Sequence, residues 1–355
     1  MFIPFGASAY VDNAYGLPPI KLENWYAQQC PDRADKQFRL IPTPGVAAFA
    51  NAPSPTVARG AFQADGVFSG DVFSVVGTNL YRTTSAGSAS LVGTISPDGL
   101  PVKWAVSQLP ELVVASNGIA YRVNAASVTT ITVGAATGPI IAVGQVNQRH
   151  LFLEGNTGRL WFSNPGDALT VTTTSFVTAE RDPDRVLALV VSGDTIWIAG
   201  ERSIELAFGT GDVTTPVLFR PGGVIPKGVI GQHAFIAADF GVFGVADDAM
   251  VYRFDGFQRE ALSPPFITRM IESLTVANAA LVRLSAYEQG GHSFLHLFIP
   301  GNGDWFLDTR LGTWHRRRAL NAADYGYGYW TQGHRKIYGQ NLTTGALVTL
   351  SLSLS

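Results

Sequence analysis

The chain has 355 residues, 46% of them hydrophobic and 15% charged, against roughly 25% charged in an ordinary globular protein. The 25 Lys and Arg against 27 Asp and Glu give a formal charge of −2, which disfavours sequence-specific nucleic-acid binding, where affinity comes from neutralising many phosphates. A single cysteine, Cys30, excludes an intrachain disulfide framework and a paired-thiolate zinc site, and points to intracellular synthesis.

In chain order, Met1–Tyr10 lacks the basic start of a secretory signal. Apolar runs such as Val186–Val191 are far below the roughly 18 to 20 residues that span a bilayer. No export and no membrane insertion by this chain are expected. Residues 1–35, with Leu17-Pro18-Pro19 and a short predicted helix over Leu22–Gln29, read as an N-terminal arm for inter-subunit or partner contacts. Trp25 and Tyr26 are its candidate anchors.

From residue 36 to 355 a unit recurs: an apolar strand, a turn with Gly or Asn, then a strand carrying an aromatic. It is clearest in Phe73–Arg82 and Leu112–Arg122, followed by Leu151–Phe162, Thr195–Leu206, Phe243–Arg253, Phe294–Leu307 and Tyr327–Gly339. The final turn is placed at Gln332-Gly333. With Tyr81, Tyr121, Trp161, Glu205, Tyr252, Phe306 and Tyr338 as reference points, the intervals are 40, 40, 44, 47, 54 and 32 residues. A four-stranded propeller blade needs about 40 to 50 residues and buries both faces only against neighbours. The fold class is therefore all-β, a six- or seven-bladed β-propeller; a two-sheet sandwich is the competing reading. Phe38–Ile41 is expected to supply the missing strand of the last blade. One short helix interrupts a late blade, with Ser263 as N-cap, Pro264 and Pro265 in the first turn, and Phe266, Ile267, Met270, Ile271 and Leu274 as a core-packing stripe.

The parts of an active site are not assembled in this order of residues. Glu180–Arg185 alternates in sign, so a carboxyl kept protonated for acid catalysis would face cations that lower its pKa, and a surface salt-bridge loop is expected. Asp247, Asp248 and Asp304 sit near turns, where Asp often bonds its own backbone. His292 and His296 share a strand face but have no third recognisable ligand, so no metal is assigned. Gly-x-Ser-x-Gly, a P-loop lysine, the sialidase repeat and a repeating Trp-Asp dipeptide are all missing. No cofactor and no enzymatic activity are expected. Trp314-His315-Arg316-Arg317-Arg318 sets three cations beside an indole; as a strand, Arg316 and Arg318 share one face and Arg317 the other, giving a candidate contact surface for a partner. Tyr325-Gly326-Tyr327-Gly328-Tyr329-Trp330 reads as blade-to-blade packing, or as an aromatic glycan platform.

The order Leu40-Ile41-Pro42-Thr43-Pro44-Gly45-Val46, Arg59-Gly60, Leu160-Trp161-Phe162-Ser163-Asn164-Pro165 and Ile204-Glu205 resembles the tail hub proteins of short-tailed phages, also called packaged-DNA stabilisation proteins, over roughly residues 35–345. The resemblance implies a structural virion tail protein made in the host cytoplasm. Six copies would form a ring, or nozzle, below the portal and the adaptor (head-to-tail connector), extending the DNA ejection channel and helping to retain packaged DNA. Tail fibres or tailspikes and a plug or needle would dock on it, and double-stranded DNA would pass without sequence preference. Against the longer members, the chain stops at Leu350–Ser355 with no room for an extra C-terminal β domain. The alternative from a different class is a carbohydrate-binding or glycan-hydrolysing propeller on a virion or cell surface.

Overall fold

The computed structural model describes residues 22–30, 38–64, 66–107, 109, 111–179, 184–320, 322 and 324–354. Most of the expected arm, and residues 180–183 of the charge cluster, lie outside them.

The strands form seven antiparallel four-stranded sheets and one two-stranded hairpin. Blade 1 comprises Ala58–Phe62, Val72–Val76, Asn79–Thr83 and Ala89–Thr94; blade 2 comprises Lys103–Val106, Leu112–Ser116, Ile119–Val123 and Val128–Thr130. Blade 3 runs Ile140–Val146, Arg149–Glu154, Arg159–Phe162 and Phe176–Thr178, and blade 4 runs Val186–Ser192, Thr195–Gly200, Ile204–Gly209 and Val217–Ile225. Blade 5 is Phe235–Ala238, Gly241–Val245, Val251–Asp255 and Gln258–Ala261, and blade 6 is Arg283–Gln289, His292–Ile299, Gly303–Asp308 and Thr313–Arg317. Blade 7 joins Tyr327–Gly333, Lys336–Asn341 and Leu347–Ser351 to an N-terminal strand, Gly45–Ala50. The fold is thus a seven-bladed propeller.

The local chemistry explains the strands. Leu112–Ser116 and Val72–Val76 are buried at every position, because a second strand has another blade on each face; they are continuous apolar runs and do not alternate. The fourth strand of blade 5, Gln258–Ala261, is exposed throughout and correspondingly polar. In blade 2, Ser116 pairs with Ile119 across Asn117 and Gly118, at φ 50° and 74°, the two positive values that a type I′ turn requires. The last hairpin turns at His334-Arg335, φ 49° and 59°, rather than at Gln332-Gly333, since Gly333 pairs with Lys336.

Each pair of neighbouring blades shares its own apolar core. Leu153 and Leu160 of blade 3 meet Ile196 and Ile198 of blade 4, and Trp161 and Phe152 of blade 3 meet Val113 and Ala115 of blade 2. Burying such a side chain is worth about 1.5–3 kcal/mol. The core between blades 7 and 1 is smaller, with Ala50, Ala61, Val72, Tyr338 and Leu347. Hydrogen bonds reinforce it: buried Gln340 accepts from Gly60 N at 3.1 Å and donates to Val75 O at 3.3 Å, and Gln63 N donates to Thr331 Oγ1 at 3.1 Å.

Three local expectations change. The closing strand of blade 7 is Gly45–Ala50, not Phe38–Ile41, which pairs instead with Trp25–Gln29 in the separate hairpin. Leu22–Gln29 is accordingly extended, not helical; a helix of that length is marginal alone, and pairing with 38–42 buries Tyr26 and Ala27. The inserted helix is Pro265–Glu272, with Phe266, Ile267 and Ile271 packed between blades 5 and 6 as the stripe requires. Its N-cap is Pro264, however, while the Ser263 hydroxyl accepts from Val251 N at 3.0 Å.

Candidate functional site

The first strands of the blades surround a central channel of about 730 Å³. They run in one sense, so their starts gather at one end: Val102 N donates to Arg59 O at 2.8 Å, joining blades 2 and 1, and Leu284 N donates to His233 O at 3.0 Å, joining blades 6 and 5. At this end stand Lys103, His233 and Arg283. The Arg283 guanidinium carbon stands 3.8 Å over the Phe298 ring and 5.5 Å from the Tyr329 ring. Tyr329 is placed there by a bulge between Gly328 and Thr331 and adopts φ 55°, a left-handed value; bulges re-aim side chains in this way. The Gln232 amide reaches past blade 4 to donate to Ile141 O of blade 3. Acidic groups lie at the opposite end: Asp239, just after the first strand of blade 5, and Glu288, late in that of blade 6.

Burial dominates the electrostatics at the cationic end. It pushes the Lys103 ammonium down to about 8. It also holds the His233 imidazole well below its usual range, with the positive charges of Lys103, Arg283 and Arg59 adding to the effect. His233 is therefore neutral at pH 7.

A second concentration of ionisable groups fills blade 6 and is sealed. His296 Nε2 meets Asp304 Oδ1 at 2.8 Å, His292 Nδ1 meets Asp308, and Tyr325 N donates to Asp304 Oδ2 at 2.8 Å. Arg317 is fully buried, its guanidinium 4.1 Å above Phe306 and its Nε 3.2 Å from His315 Nε2. No substrate can reach these groups, so they are internal struts. Asp304 is thus no turn residue bonding its own backbone, and the two histidines on one strand face are each taken by a carboxylate. The signal was present: His292 and His296 are spaced like Asp304 and Asp308 about the Gly301-Asn302-Gly303 turn.

The six residues expected at an interface divide. Tyr26 is buried against His292 and Phe294, at 5.1 and 5.4 Å, and Trp314 and Arg317 are buried within the blade 5–6 core and blade 6. These three are filled by contacts within the chain and offer nothing to a partner. Arg316 and Arg318 do share a face opposite Arg317, as alternation requires, but that face holds the start of the described chain. Arg316 N donates to Leu22 O at 2.8 Å, Asn24 N donates to Arg316 O at 2.9 Å, and Arg318 pairs with Glu23 at 3.2 Å. The arm from residue 22 on is therefore docked along the outer strand of blade 6. Trp25 remains 44% exposed, with Phe38 of the same hairpin at 43%.

The aromatic run also turns inward: Tyr325 and Trp330 are buried between blades 6 and 7. Asp247 and Asp248 hold Lys227 at 3.1 and 2.8 Å. Asp184 accepts from Arg202 N and Ser203 N at 2.7 and 3.0 Å, a turn latch in blade 4. Among the described residues, no cluster of three or more His, Cys, Asp or Glu could hold a metal ion.

A family model described as bacteriophage P22 Gp10, beta-propeller (Phage_stabilise), matches residues 25–310. Among solved structures, the chain is similar to the selenomethionine-substituted virginiamycin B lyase from Staphylococcus aureus, at 11% identity and a TM-score of 0.60, over 86% of this chain and 99% of that one. It is also similar to the WD40 β-propeller domain of Doa1, at 12% identity and a TM-score of 0.53, over 86% and 96% of the two chains. At these identities the likeness is one of fold alone. No curated protein matches the chain.

Proposed function

Because the chain belongs to the β-propeller family of bacteriophage P22 Gp10, a family of structural phage tail proteins, we propose that it is the non-enzymatic subunit of a ring-shaped tail hub. In this reading six copies form the ring below the portal and adaptor, extend the DNA exit path, help to retain packaged DNA, and carry tail fibres or spikes and a plug. The observation that carries the reading is the family match across 25–310, which spans the arm hairpin, the closing strand Gly45–Ala50, blades 1 to 5 and three strands of blade 6.

The physical features are compatible. A closed ring in which every neighbouring pair of blades shares a core resists deformation better than an open sheet and leaves few free strand edges. The near-neutral charge avoids trapping a passing polyanion by phosphate neutralisation. The propeller's own channel, at about 730 Å³, has the size of a small-molecule site and is far too small to be the DNA path. The duplex must instead pass through the opening that surrounds the axis of the assembled ring. Trp25 and Phe38 are the exposed aromatics that such an assembly would cover, on a hairpin fixed to blade 6. Of the aromatic run, Tyr325 and Trp330 are taken up by blade packing, which leaves less of it for a glycan platform.

Electron microscopy and mass photometry of the purified chain, alone and with adaptor and portal, test the proposal. Six-fold rings, or incorporation into tails, are expected. A stable monomer that joins no tail component refutes it.

A further inference from the structure

The fold brings three cationic or protonatable side chains from blades 2, 5 and 6 to one end of a closed channel and gives them no counter-ion. Among the described residues, neither Lys103 nor Arg283 forms an ion pair, although Arg59, Arg82, Arg122 and Lys227 all do. Arg283 Nε and His233 Nε2 are buried with no hydrogen-bond partner. Buried donors left unmade are costly, and in native structures they usually meet a bound group. The acids that line the channel cannot serve them: Asp239 and Glu288 are at the far end, and Glu288 is already held by Ser293 Oγ at 2.7 Å and Arg310 at 3.8 Å.

Geometry prepares these groups for a ligand. The Phe298 and Tyr329 rings, 3.8 and 5.5 Å from the Arg283 guanidinium carbon, hold its position before anything binds. The channel volume of about 730 Å³ falls within the roughly 300–1,000 Å³ of small-molecule sites. Trp104 and, further along the channel, Val190 are only partly buried and supply apolar wall. We propose that this end of the channel binds a small organic anion, its carboxylate or phosphate head set among Lys103, His233 and Arg283 and its body against the apolar wall. An anion held there would meet the charges of Lys103 and Arg283, the same charges that add to burial in holding the His233 imidazole down. This inference goes beyond the tail role and does not depend on it.

The head-group probe is inorganic phosphate, with acetate in parallel, added to the full chain at constant ionic strength set by sodium chloride. The expected result is a saturable rise in melting temperature, with apparent affinity weakened about tenfold or more by Lys103→Met and by Arg283→Gln, the loss of one charge-assisted contact. Arg283→Lys, which keeps the charge but not the fork, is expected to fall between. Should the variants fold poorly, ¹⁵N resonances of the His233 ring in the unmodified chain give an independent readout, and phosphate is expected to move its titration upward. A response that does not saturate, that persists in both variants, or that leaves the His233 resonances in place overturns the proposal. Saturation by acetate alone assigns a carboxylate head, and saturation by phosphate alone a phosphate head.

Discussion

Arg59 is the side chain on which the seam between blades 1 and 2 depends most, and Arg59→Met is the direct way to measure it. It is 1% exposed, and its guanidinium donates from Nε to Leu100 O at 2.8 Å, from Nη1 to Gly77 O at 3.1 Å and from Nη2 to Ser116 Oγ at 2.6 Å, while pairing with Asp98. Methionine fills similar volume but strands the two carbonyls. Breaking a fully buried ion pair costs about 3–5 kcal/mol. Asp98 lessens that here, because its side chain is 23% exposed and keeps backbone donors from Leu100 N and Asn117 N, at 2.9 and 3.0 Å. Ser116 likewise keeps its own bond to Ser96 O at 2.6 Å. A loss of about 3 kcal/mol is the expected outcome. Urea unfolding followed by tryptophan fluorescence measures it, with Arg310→Met as the control, because the Arg310–Glu288 pair at 3.8 Å is exposed on both sides and worth less than about 1 kcal/mol. If Arg59→Met shifts the midpoint no more than the control does, the reasoning about buried pairing at this seam is wrong.

Lys103 gives a pH signature. Between about 8 and its ordinary 10.5 the unfolded chain holds this proton and the folded chain does not, so stability rises with pH through that window and the gain is absent below it. The full shift corresponds to at most about 3 kcal/mol, less in practice because the side chain is partly solvated. Stability curves of the parent and Lys103→Met from pH 7.5 to 9.5 should diverge, with the parent rising more; parallel curves contradict the account. At the other seam, Gly345 adopts φ 75° and a Cβ there would overlap Val76 Cγ1. Gly345→Val therefore combines left-handed strain of about 1–2 kcal/mol with overpacking of about 1–3 kcal/mol. Denaturant titration should show a loss of several kcal/mol, and an unchanged midpoint would mean that blades 7 and 1 are not packed as described.

The hairpins were legible because a second strand enclosed by blades on both faces must be continuously apolar. Six of the seven reference points, from Tyr81 to Phe306, fall in third strands. Tyr338 falls in a second strand, where it pairs with Thr349 of the third, and this accounts for the short final interval. The closing strand was not legible: Phe38–Ile41 and Gly45–Ala50 are both short and apolar, separated by Pro42 and Pro44, and only pairing with Trp25–Gln29 decides between them. Nor was the cationic end of the channel, since Lys103, His233 and Arg283 carry no local pattern and meet only because their strands begin at the same end of the ring. The cluster Trp314–Arg318 was legible in its alternation, but not in its surroundings: Trp314 and Arg317 are buried within the chain, while Arg316 and Arg318 stay partly exposed beside residues 22–24.

Blade 7 takes three strands from one end of the chain and the fourth from the other. The belt is thus buckled last: during synthesis the ring stays open until the ribosome has released residues beyond Leu347–Ser351. A pull transmitted along the arm is resisted in three places, first where residues 22–24 clip to blade 6, then by the ladder of 25–29 on 38–42, and last by the Gly45–Ala50 ladder that closes the ring.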